Sequence, residues 1–312
     1  MKPLVSIIIP AYKVEQYIFE ALRSIQAQTY PHWEAIVIED GSQDETESIV
    51  RAFALDLENN VLYDRLAQNQ GPSAARNLGL SKAQGKYIAF LDADDLWKEH
   101  HLEKAIDALE SDKGDIIYST VQKFNSTTGE FLGRYGPTEE DLKNFPESLF
   151  TRVTNYIQPS TIVMKREIVD AVGLFDLALL RVEDRDYIIR IAAAKFRFFH
   201  LDEITCLLRR GHSSAVSSQR LMQECRALVF RKHNKLEVIK PKIRNNCVFI
   251  THLTVAKNCF SVEPLKAADF LFWAWRAKPT KIKYLGIIAV AYIYSLILDT
   301  GVLSMHFKQQ EG

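Results

Sequence analysis

Apolar runs alternate with amphipathic stretches along the first hundred residues, a pattern typical of βαβ units and a mainly parallel sheet. Short continuous runs of apolar and β-branched residues predict strands. Four such runs occur in this part of the chain, at Val5–Ile9, Ala35–Glu39, Val61–Leu66 and Tyr87–Leu91. The alternation therefore predicts a sheet whose successive strands are joined by helices.

Helices between these strands are predicted from apolar spacing and from start signals. The apolar positions between residues 18 and 25 fall on one face of a helix. Ser42 followed by Glu45 has the spacing of a capping box, which predicts that a second helix opens there. Ser73 is predicted to cap a short third helix that ends near Gly79.

The second half of the chain resumes this pattern after an irregular stretch. Residues 122–160 are rich in glycine and proline, which predicts a loop region on the substrate side. Beyond Ser217 the chain turns helical and aromatic, which places a boundary near residue 215. The other predicted elements are a helix at His100–Ser111, strands at Asp115–Val121 and Ser160–Met164, a helix at Arg166–Val172, a helix beginning near Asp184, and strands at Arg197–Leu201 and Thr205–Leu208.

Composition and charge exclude several classes of protein. The chain has 312 residues, of which 47% are hydrophobic, so it can bury a sizeable core. Its 39 basic and 39 acidic residues cancel, which argues against nucleic acid as a partner of the whole chain and against a disordered polyelectrolyte. No two of the four cysteines form a CxxC pair, which argues against zinc and redox sites and suits reduced thiols in a cytosolic protein.

Polar clusters directly follow three of the predicted strands, at Pro10–Tyr12, Glu39–Ser42 and Asp92–Asp95. In open α/β sheets, the ligand crevice lies outside the carboxyl ends of the strands. We therefore expect the three clusters to share one rim of the sheet and to form a ligand site there.

Asp92-Ala93-Asp94 is a DxD motif after a buried strand, and Asp95 adds a third carboxylate. Carboxylate pairs suit hard cations such as Mg²⁺ or Mn²⁺, and burying several like charges without a cation is costly. A bare DxD also occurs in solvated turns, so the motif alone leaves both interpretations open. Asp40 is open to two interpretations as well, as an acceptor for a nucleobase or ribose and as a polar turn residue.

Two further segments place charged groups at predicted helix starts. Residues 69–77 bring a glycine, a serine and Arg76 to a helix N-terminus, which forms either an anion site for a nucleotide phosphate or an ordinary capped helix. Residues 183–186 include three acidic residues, which favour the helix dipole and also offer a carboxylate as a general base. His212 is a metal ligand, a donor to a diphosphate, or a polar surface residue.

Seven motifs follow one another along the chain: VSIIIPAY, IEDGSQDET, NQGPSAARNLGL, GKYIAFLDADD, GLFD, VEDRDYIIRIA and RRGH. In this order and spacing they resemble the family 2 glycosyltransferases, over residues 5–217. The resemblance implies the GT-A fold, an α/β fold with a mostly parallel, Rossmann-like central sheet, flanking helices and, here, a helical C-terminal extension. It also implies transfer of a sugar from a nucleotide diphospho-sugar to an acceptor hydroxyl, with inversion at the anomeric carbon.

The resemblance assigns a role to each matching residue. Asp184 would be the general base, Asp94 would hold Mn²⁺ or Mg²⁺ on the diphosphate, and His212 would be a further metal ligand. The nucleotide-sugar would be bound by Pro10, Ala11, Tyr12 and Asp40 around the nucleobase, by Arg76 on the nucleotide, by Asp92 on the ribose, and by Ala93.

The family pattern also implies a division of the chain. Residues 1–100 would form the nucleotide-sugar-binding half of the catalytic domain and residues 101–216 the acceptor-binding and catalytic half. Residues 217–312 would form the helical extension. The acceptor would be a glycan or a lipid-linked sugar in the synthesis of bacterial surface polysaccharide.

Two departures from the family pattern bear on these expectations. Lys13 stands where the family usually has asparagine after the tyrosine, which puts contacts at that corner of the nucleotide pocket in doubt. Gln223 and Arg226 match part of the QxxRW motif of processive members, but Ala227 replaces the tryptophan. We therefore expect one sugar to be transferred per encounter.

The C-terminal tail is compatible with two interpretations. Tyr284–Leu298 is uncharged, and as a helix it would reach roughly 22 Å, short of the roughly 30 Å hydrocarbon core. Tryptophans and tyrosines interleaved with basic residues suit an interfacial helix on the inner face of the cell membrane. The alternatives are a buried helix and a homodimer interface. We expect a cytoplasmic protein with peripheral membrane contact.

Competing functions make different demands on the sequence. A nucleotidyltransferase would need a glycine-rich, arginine-containing loop after the first strand, where this chain reads PAYKVEQY. A dinucleotide-dependent oxidoreductase would need GxGxxG after a strand, and none is present. A degenerate nucleotide-sugar-binding scaffold would be expected to lack Asp94 or Asp184, yet the chain has both.

Overall fold

The computed structural model describes residues 2–55, 61–211, 219–260, 262–281 and 286–288. In these residues the strands are β1 (Val5–Ala11), β2 (Trp33–Glu39), β3 (Val61–Arg65), β4 (Tyr87–Phe90), β5 (Leu96–Trp97), β6 (Ile116–Asn125), β7 (Phe131–Tyr135), β8 (Val163–Lys165) and β9 (Phe198–Arg210). The helices are α1 (Ile18–Gln26), α2 (Thr46–Leu55), α3 (Pro72–Lys82), α4 (His101–Glu110), α5 (Glu139–Lys143), α6 (Ser148–Thr151), α7 (Glu167–Val172), α8 (Glu183–Ala193), α9 (Gln219–Lys232), α10 (Pro241–Cys259) and α11 (Pro264–Ala277).

The chain divides into two compact units. The first comprises Met1–Phe145 and Thr154–Ala215, and the second comprises Pro146–Val153 and Val216–Gly312. The first unit contains the whole sheet, and the described part of the second is helical.

One sheet forms the centre of the first unit, with the strand order β3-β2-β1-β4-β8-β6-β9-β5 and with β7 paired to β6. The strands from β3 to β4 are parallel, as are β6 and β9, and the other pairs are antiparallel. The central strands are buried along their length, because helices cover both faces of a parallel sheet. The predicted α/β class, with a central sheet, flanking helices and a helical C-terminal region, is confirmed.

The amphipathic pattern of α1 explains its packing. Ile18, Ala21, Leu22 and Ile25 are buried, and they belong to the same hydrophobic core as the apolar residues of β1, β2 and β4. This packing stabilises the rim of the sheet where the candidate site lies.

The prediction that residues 122–160 are irregular was wrong in part. β6 continues to Asn125 and forms an antiparallel hairpin with β7, and two short helices, α5 and α6, follow. β7 is exposed over most of its length, and Phe131 and Leu132 point into solvent. An exposed strand lacks the one-sided apolar alternation from which strands are predicted, which explains the error.

Two other strands differ from those predicted. β9 is one strand rather than two, and its pairing with β6 shifts register where Ser119 lies opposite Leu201 and the next residue lies opposite Ile204. The polar residues between the two predicted strands therefore form a bulge and do not end the strand. The short strand β5 was not predicted, because two residues carry no periodicity.

Three helices of the second unit pack around a core of their own. It consists of Ala227, Val255, Ala256, Cys259, Ala267, Phe270 and Leu271. Phe150 of α6 stacks on Phe230 of α9 within the same unit, with ring centroids 4.9 Å apart. The four cysteines lie in described parts of the chain and form no disulfide there.

The interpretation of the tail stays a prediction. Of the uncharged run Tyr284–Leu298, only residues 286–288 are described. Across the described ranges, no helix has the length and apolar character needed to cross a membrane.

Candidate functional site

The three polar clusters lie together at the carboxyl end of the parallel strands, as predicted. β1 pairs with β2 on one side and with β4 on the other, so the chain leaves three adjacent strands at the same rim. The amide of Asp40 donates to the carbonyl of Ala11 at 2.7 Å, and the amide of Leu91 donates to the carbonyl of Ile8 at 3.1 Å. These hydrogen bonds extend the pairing of β1 with its two neighbours as far as Leu91, the residue before Asp92.

Asp40 is buried and binds the loop that leads into α3. Its Oδ1 accepts from the amide of Gln70 at 2.7 Å, and its Oδ2 accepts from the amide of Gly71 at 2.8 Å. Burial raises the pKa of Asp40, and the two backbone donors oppose this rise. Gly41 has φ +70°, and a Cβ there would lie 2.5 Å from the backbone of Gln68, so glycine is needed for this approach.

The start of α3 differs from the prediction. Gly71 occupies the N-cap position with φ 89°, Pro72 is the first helical residue, and no side chain caps the helix. Ser73 is buried one residue inside, and its hydroxyl has no partner in the part of the chain that the structure describes. Proline suits the first helical position because it has no amide hydrogen to satisfy, which moves the start ahead of Ser73.

The capping-box prediction at Ser42 was also wrong. α2 begins at Thr46, and the amide of that residue is 3.4 Å from Oδ1 of Asp44. The hydroxyl of Ser42 instead donates to Glu39 at 2.5 Å and lies 2.8 Å from Asp44. A buried carboxylate at the end of β2 needs donors, and Ser42 supplies one.

The DxD turn is held by residues far away in sequence. The amide of Asp92 donates to the hydroxyl of Ser160 at 3.1 Å, and that hydroxyl donates to Asp95 at 2.6 Å. Arg209 donates its amide to Asp95 at 3.1 Å and its Nε to the carbonyl of Asp94 at 2.9 Å. Asp92 and Asp94 remain half-buried, whereas Asp95 is buried. Two of the three carboxylates are therefore accessible to solvent at this rim.

Arg209 has further partners of its own. Its guanidinium lies 4.8 and 4.9 Å from the ring centroids of Tyr17 and Phe124 and pairs with Glu20 of α1. Arg209 and Ser160 were not singled out in the sequence. Both lie in or beside predicted strands, where the local pattern gives no sign of a long-range polar contact.

Negative charge accumulates at the turn. Burial raises the pKa of Asp95 well above its usual range, and the nearby charges of Asp94 and Asp92 raise it further. Such crowding of carboxylates is relieved by a bound cation.

Arg76 connects the turn to α8. Its guanidinium donates to Oδ1 of Asp92 at 2.7 Å and to Oε1 of Glu183 at 2.8 Å, and its side chain is only 4% exposed. Burial alone would lower the pKa of Arg76, but the two carboxylates outweigh that effect and raise it. Its predicted contact with a nucleotide stays a prediction, and in this structure both terminal nitrogens bind carboxylates of the chain.

Two neighbouring carboxylates at the start of α8, Glu183 and Asp184, differ in their accessibility to solvent. Glu183 is buried, and burial raises its pKa while Arg76 opposes the rise. Asp184 is half-buried, accepts from the side-chain amide of Asn155 at 2.8 Å, and accepts from the amide of Arg185 at 2.7 Å. Asp184 is therefore the more accessible of the two, as a general base must be. The sequence did not identify Asn155 as a partner of Asp184, because it lies in the predicted loop region, where no local pattern indicates a long-range contact.

The remaining predicted residues lie at and just after the end of β1 and inside the DxD turn. Pro10 and Ala11 end β1, Tyr12 follows the strand with its side chain exposed, and Ala93 is buried inside the DxD turn. Lys13 has φ 54°, a left-handed conformation in which asparagine is several-fold enriched among residues other than glycine. Its ammonium lies 5.4 Å from the centroid of the Tyr12 ring.

The predicted metal site is only partly described. His212 lies outside the described residues, and among those that are described no three acidic, histidine or cysteine side chains are grouped closely enough to hold a metal. Mg²⁺ and similar cations commonly bind through one or two carboxylates and take their other ligands from substrate phosphates and water. The crowded carboxylates of the DxD turn fit such a cation.

Comparisons with known proteins agree with this geometry. The sequence profile described as "Glycosyl transferase family 2" matches residues 6–173, more than half of the chain. Over 149 residues the chain is 44% identical to the "Putative teichuronic acid biosynthesis glycosyltransferase TuaG" of Bacillus subtilis, covering 47% of this chain and 55% of that protein. The chain spans about half the length of curated relatives such as this one.

Solved structures share the fold. S. aureus TarS 1-349 in complex with UDP-GlcNAc matches with a TM-score of 0.66 and 22% identity, over 88% of this chain and 82% of that one. The mannosyltransferase PcManGT from Pyrobaculum calidifontis, in complex with GDP-Man and Mn²⁺, matches with a TM-score of 0.56 and 19% identity, over 95% and 88%. The chain therefore has the GT-A fold that its motifs implied.

Proposed function

From the premise that this chain belongs to glycosyl transferase family 2, we propose that it transfers a sugar from a nucleotide diphospho-sugar to an acceptor hydroxyl, with inversion and without processive polymerisation. One observation carries the proposal. The guanidinium of Arg76 binds both Asp92 and Glu183, so the DxD turn and the start of α8 face each other across one ion pair network. A donor-binding turn and a candidate base thereby meet at one crevice.

The donor would bind at the rim formed by β1, β2 and β4. Pro10, Ala11 and Tyr12 would line the nucleobase pocket together with Asp40. Each carboxylate oxygen has two lone pairs, so Asp40 can accept from a nucleobase while it binds the loop before α3. Likeness to structures that hold UDP-GlcNAc and GDP-Man supports a nucleotide-sugar donor but does not choose the base.

The diphosphate would lie beside the DxD turn. Asp92 would contact the ribose, and Asp94, with His212 as a further ligand, would hold Mn²⁺ or Mg²⁺. When bound, such a cation neutralises charge on the departing diphosphate. Likeness to a structure containing Mn²⁺ supports a divalent cation here.

Asp184 would take the proton of the acceptor hydroxyl. It lies in the first turn of α8, where Asn155 and the Arg185 amide fix its carboxylate. Two donors that orient the carboxylate leave lone pairs free to accept the acceptor proton. Direct attack from the face opposite the leaving diphosphate gives inversion, whereas a retaining reaction would need a covalent sugar intermediate on a carboxylate.

The acceptor is proposed to be a glycan or lipid-linked sugar of the bacterial surface. The likeness to a protein named for teichuronic acid biosynthesis supports this class. The hairpin of β6 and β7 and the segment around Asn155 belong to the stretch that the sequence assigned to the substrate side, and they would contact the acceptor.

The test is a thermal-shift panel of UDP, GDP, dTDP and their sugars, each with Mn²⁺ and with a chelator. A ligand that binds only the native protein raises the melting temperature. At a ligand concentration a hundredfold above Kd, binding adds about 2.7 kcal/mol to the free energy of unfolding. A metal-dependent rise with one nucleotide, abolished in Asp94→Asn, would support the donor site. Asp64→Asn is the matched control, because that carboxylate pairs with Lys82 on the surface.

A second measurement separates the enzyme from a binding scaffold. Sugar release or transfer from the donor that binds is followed by NMR at the anomeric carbon. An inverted product supports the proposal, and a retained configuration would refute inversion. Donor binding without turnover, with acceptor extracts supplied, would favour a nucleotide-sugar-binding scaffold.

A further inference from the structure

Arg76 joins a DxD carboxylate directly to the helix that bears Asp184. It lies on α3, and its two terminal nitrogens bind Asp92 and Glu183 at 2.7 and 2.8 Å. Its Nε is buried and has no partner among the described residues. A buried guanidinium with two anionic partners has a geometry that depends on both of them.

Glu183 is the direct neighbour of Asp184 in the first turn of α8, so a shift of Glu183 would also shift Asp184. Asp184 is half-buried, whereas Glu183 is buried. Val182, just before them, has φ 65°, which a β-branched residue adopts only when its surroundings enforce it. The ion pair of Glu183 with Arg76 is one contact that can enforce it.

A second set of contacts ties α3 to the same segment. Asn77 exchanges two hydrogen bonds with the backbone of Phe175, at 2.9 and 2.8 Å. The ring of Phe175 stacks on Tyr187 of α8 with centroids 4.1 Å apart, and Arg76 lies 5.5 Å from the same ring. These contacts join α3 to α8 through the Phe175 segment, in addition to the Arg76 ion pairs.

Asp92 is the exposed end of this link. Its side chain is 33% exposed, against 11% for Glu183 and 4% for Arg76. A ligand at the rim therefore has more access to Asp92 than to Glu183. Any ligand that changes the hydrogen bonding of Asp92 changes how strongly Arg76 is held toward Glu183.

We propose that Arg76 and Glu183 are positioning residues that couple the state of Asp92, on the donor side, to the placement of Asp184. The inference rests on the proposed function, because it takes Asp92 as part of the donor site and Asp184 as the base. The two sides are linked because one guanidinium binds both Asp92 and Glu183. While Asp92 stays paired with Arg76, Arg76 holds Glu183 and thereby keeps the neighbouring Asp184 in position.

The coupling is first tested without any substrate, by hydrogen exchange of the amides in residues 184–190. Asp92→Asn should raise their exchange rates about 2- to 30-fold, although Asp92 is not on α8. Asp94→Asn is the matched control, because it removes the neighbouring carboxylate and leaves the Asp92–Arg76 pair in place. Equal exchange in wild type and Asp92→Asn would overturn the coupling.

The positioning role is tested by kinetics with the donor found in the thermal-shift panel. Glu183→Gln should lower kcat about 10- to 100-fold, because misplacing a reacting group by an ångström costs about that much, while KM for the donor stays within about twofold. Arg76→Lys should also lower kcat, because a lysine cannot bridge both carboxylates. The control is Asp186→Asn, which also lies in the first turn of α8. It weakens the ion pair with Arg190 instead and so controls for lost stability.

The outcomes separate this inference from the proposed function. If wild type binds and turns over a donor but Glu183→Gln matches Asp186→Asn in kcat, the positioning role is refuted and the proposed function stands. If wild type binds no nucleotide at all, the proposed function fails, and the exchange experiment still decides whether Asp92 and α8 are coupled.

Discussion

The side-chain amide of Asn155 donates a hydrogen bond of 2.8 Å to Oδ2 of Asp184. Asn155 is fixed in turn by Ile157, whose carbonyl accepts from the same amide nitrogen at 2.8 Å and whose amide donates to the side-chain oxygen at 3.3 Å. A carboxylate held by a donor that is itself held has a defined orientation.

Asn155→Ala should therefore lower kcat about 10- to 100-fold, since a hydrogen bond to a charged group contributes about 1.5–3 kcal/mol. KM for the donor should change little, because the residue lies on the base side. Steady-state kinetics checks this, with Asn144→Ala as the control, whose side chain only donates to the backbone of α5. A raised KM with unchanged kcat would contradict the role.

Asp184→Asn should lower kcat by about 10²–10⁴, the usual contribution of a general base. Asparagine has nearly the same shape, so donor binding and the melting temperature should stay close to those of wild type. Transfer is measured at saturating donor, and binding is measured by calorimetry. Undiminished transfer would show that Asp184 is not the base.

Arg209→Gln should destabilise the protein by about 2–4 kcal/mol, because it removes a charged donor to the DxD turn and a cation close to two aromatic rings. It should also weaken metal-dependent donor binding about tenfold, since the turn that carries Asp94 loses its support. Arg210→Gln is the matched control, because that side chain is exposed and, within the part of the chain that the structure describes, donates to the carbonyl of Arg209. Equal effects of the two variants would argue against this role.

Lys13→Asn should raise the free energy of unfolding by about 0.5–1 kcal/mol. The left-handed φ of 54° costs a lysine about 1–2 kcal/mol, and asparagine tolerates it better. Losing the contact between Lys13 and the Tyr12 ring offsets part of this gain. Urea unfolding measures the change, and a less stable variant would show that the lysine contact matters more than the backbone conformation.

His101 should make the stability of the first unit depend on pH. Burial lowers the pKa of His101 from 6.5 to about 3, so the unfolded chain binds a proton between these values that the folded chain does not. Stability is therefore fully present above about pH 6.5 and falls by about 1.4 kcal/mol per pH unit as pH drops below it.

The matched variant for this test is His101→Phe, which keeps the stacking on Trp97 but loses the hydrogen bond to Thr205. At pH 7 it should be about 1–2 kcal/mol less stable than wild type, and the difference should shrink and then reverse toward pH 5. Tryptophan fluorescence during urea unfolding at pH 5, 6 and 7 measures this. A difference that does not vary with pH would contradict the assignment.

The sequence by itself determined the sheet and the rim. Continuous apolar runs mark buried strands because parallel strands are covered on both faces, and residues that follow adjacent parallel strands meet at one edge. Asp40, Asp92 and Asp94 were found from this rule, and Asp184 from the resemblance to a family. Each depends on local order along the chain, which a sequence displays directly.

Only the tertiary structure decided which polar groups pair. Arg76 binds Asp92, which is near in sequence, but also Glu183, 107 residues away, and Ser160 reaches Asp95 across 65 residues. Ser42 and Ser73 looked like helix caps, yet one serves a buried carboxylate and the other is enclosed in α3. The physical reason is that a buried polar group must find a partner wherever packing supplies one, and that partner is set by the folded arrangement rather than by neighbouring residues.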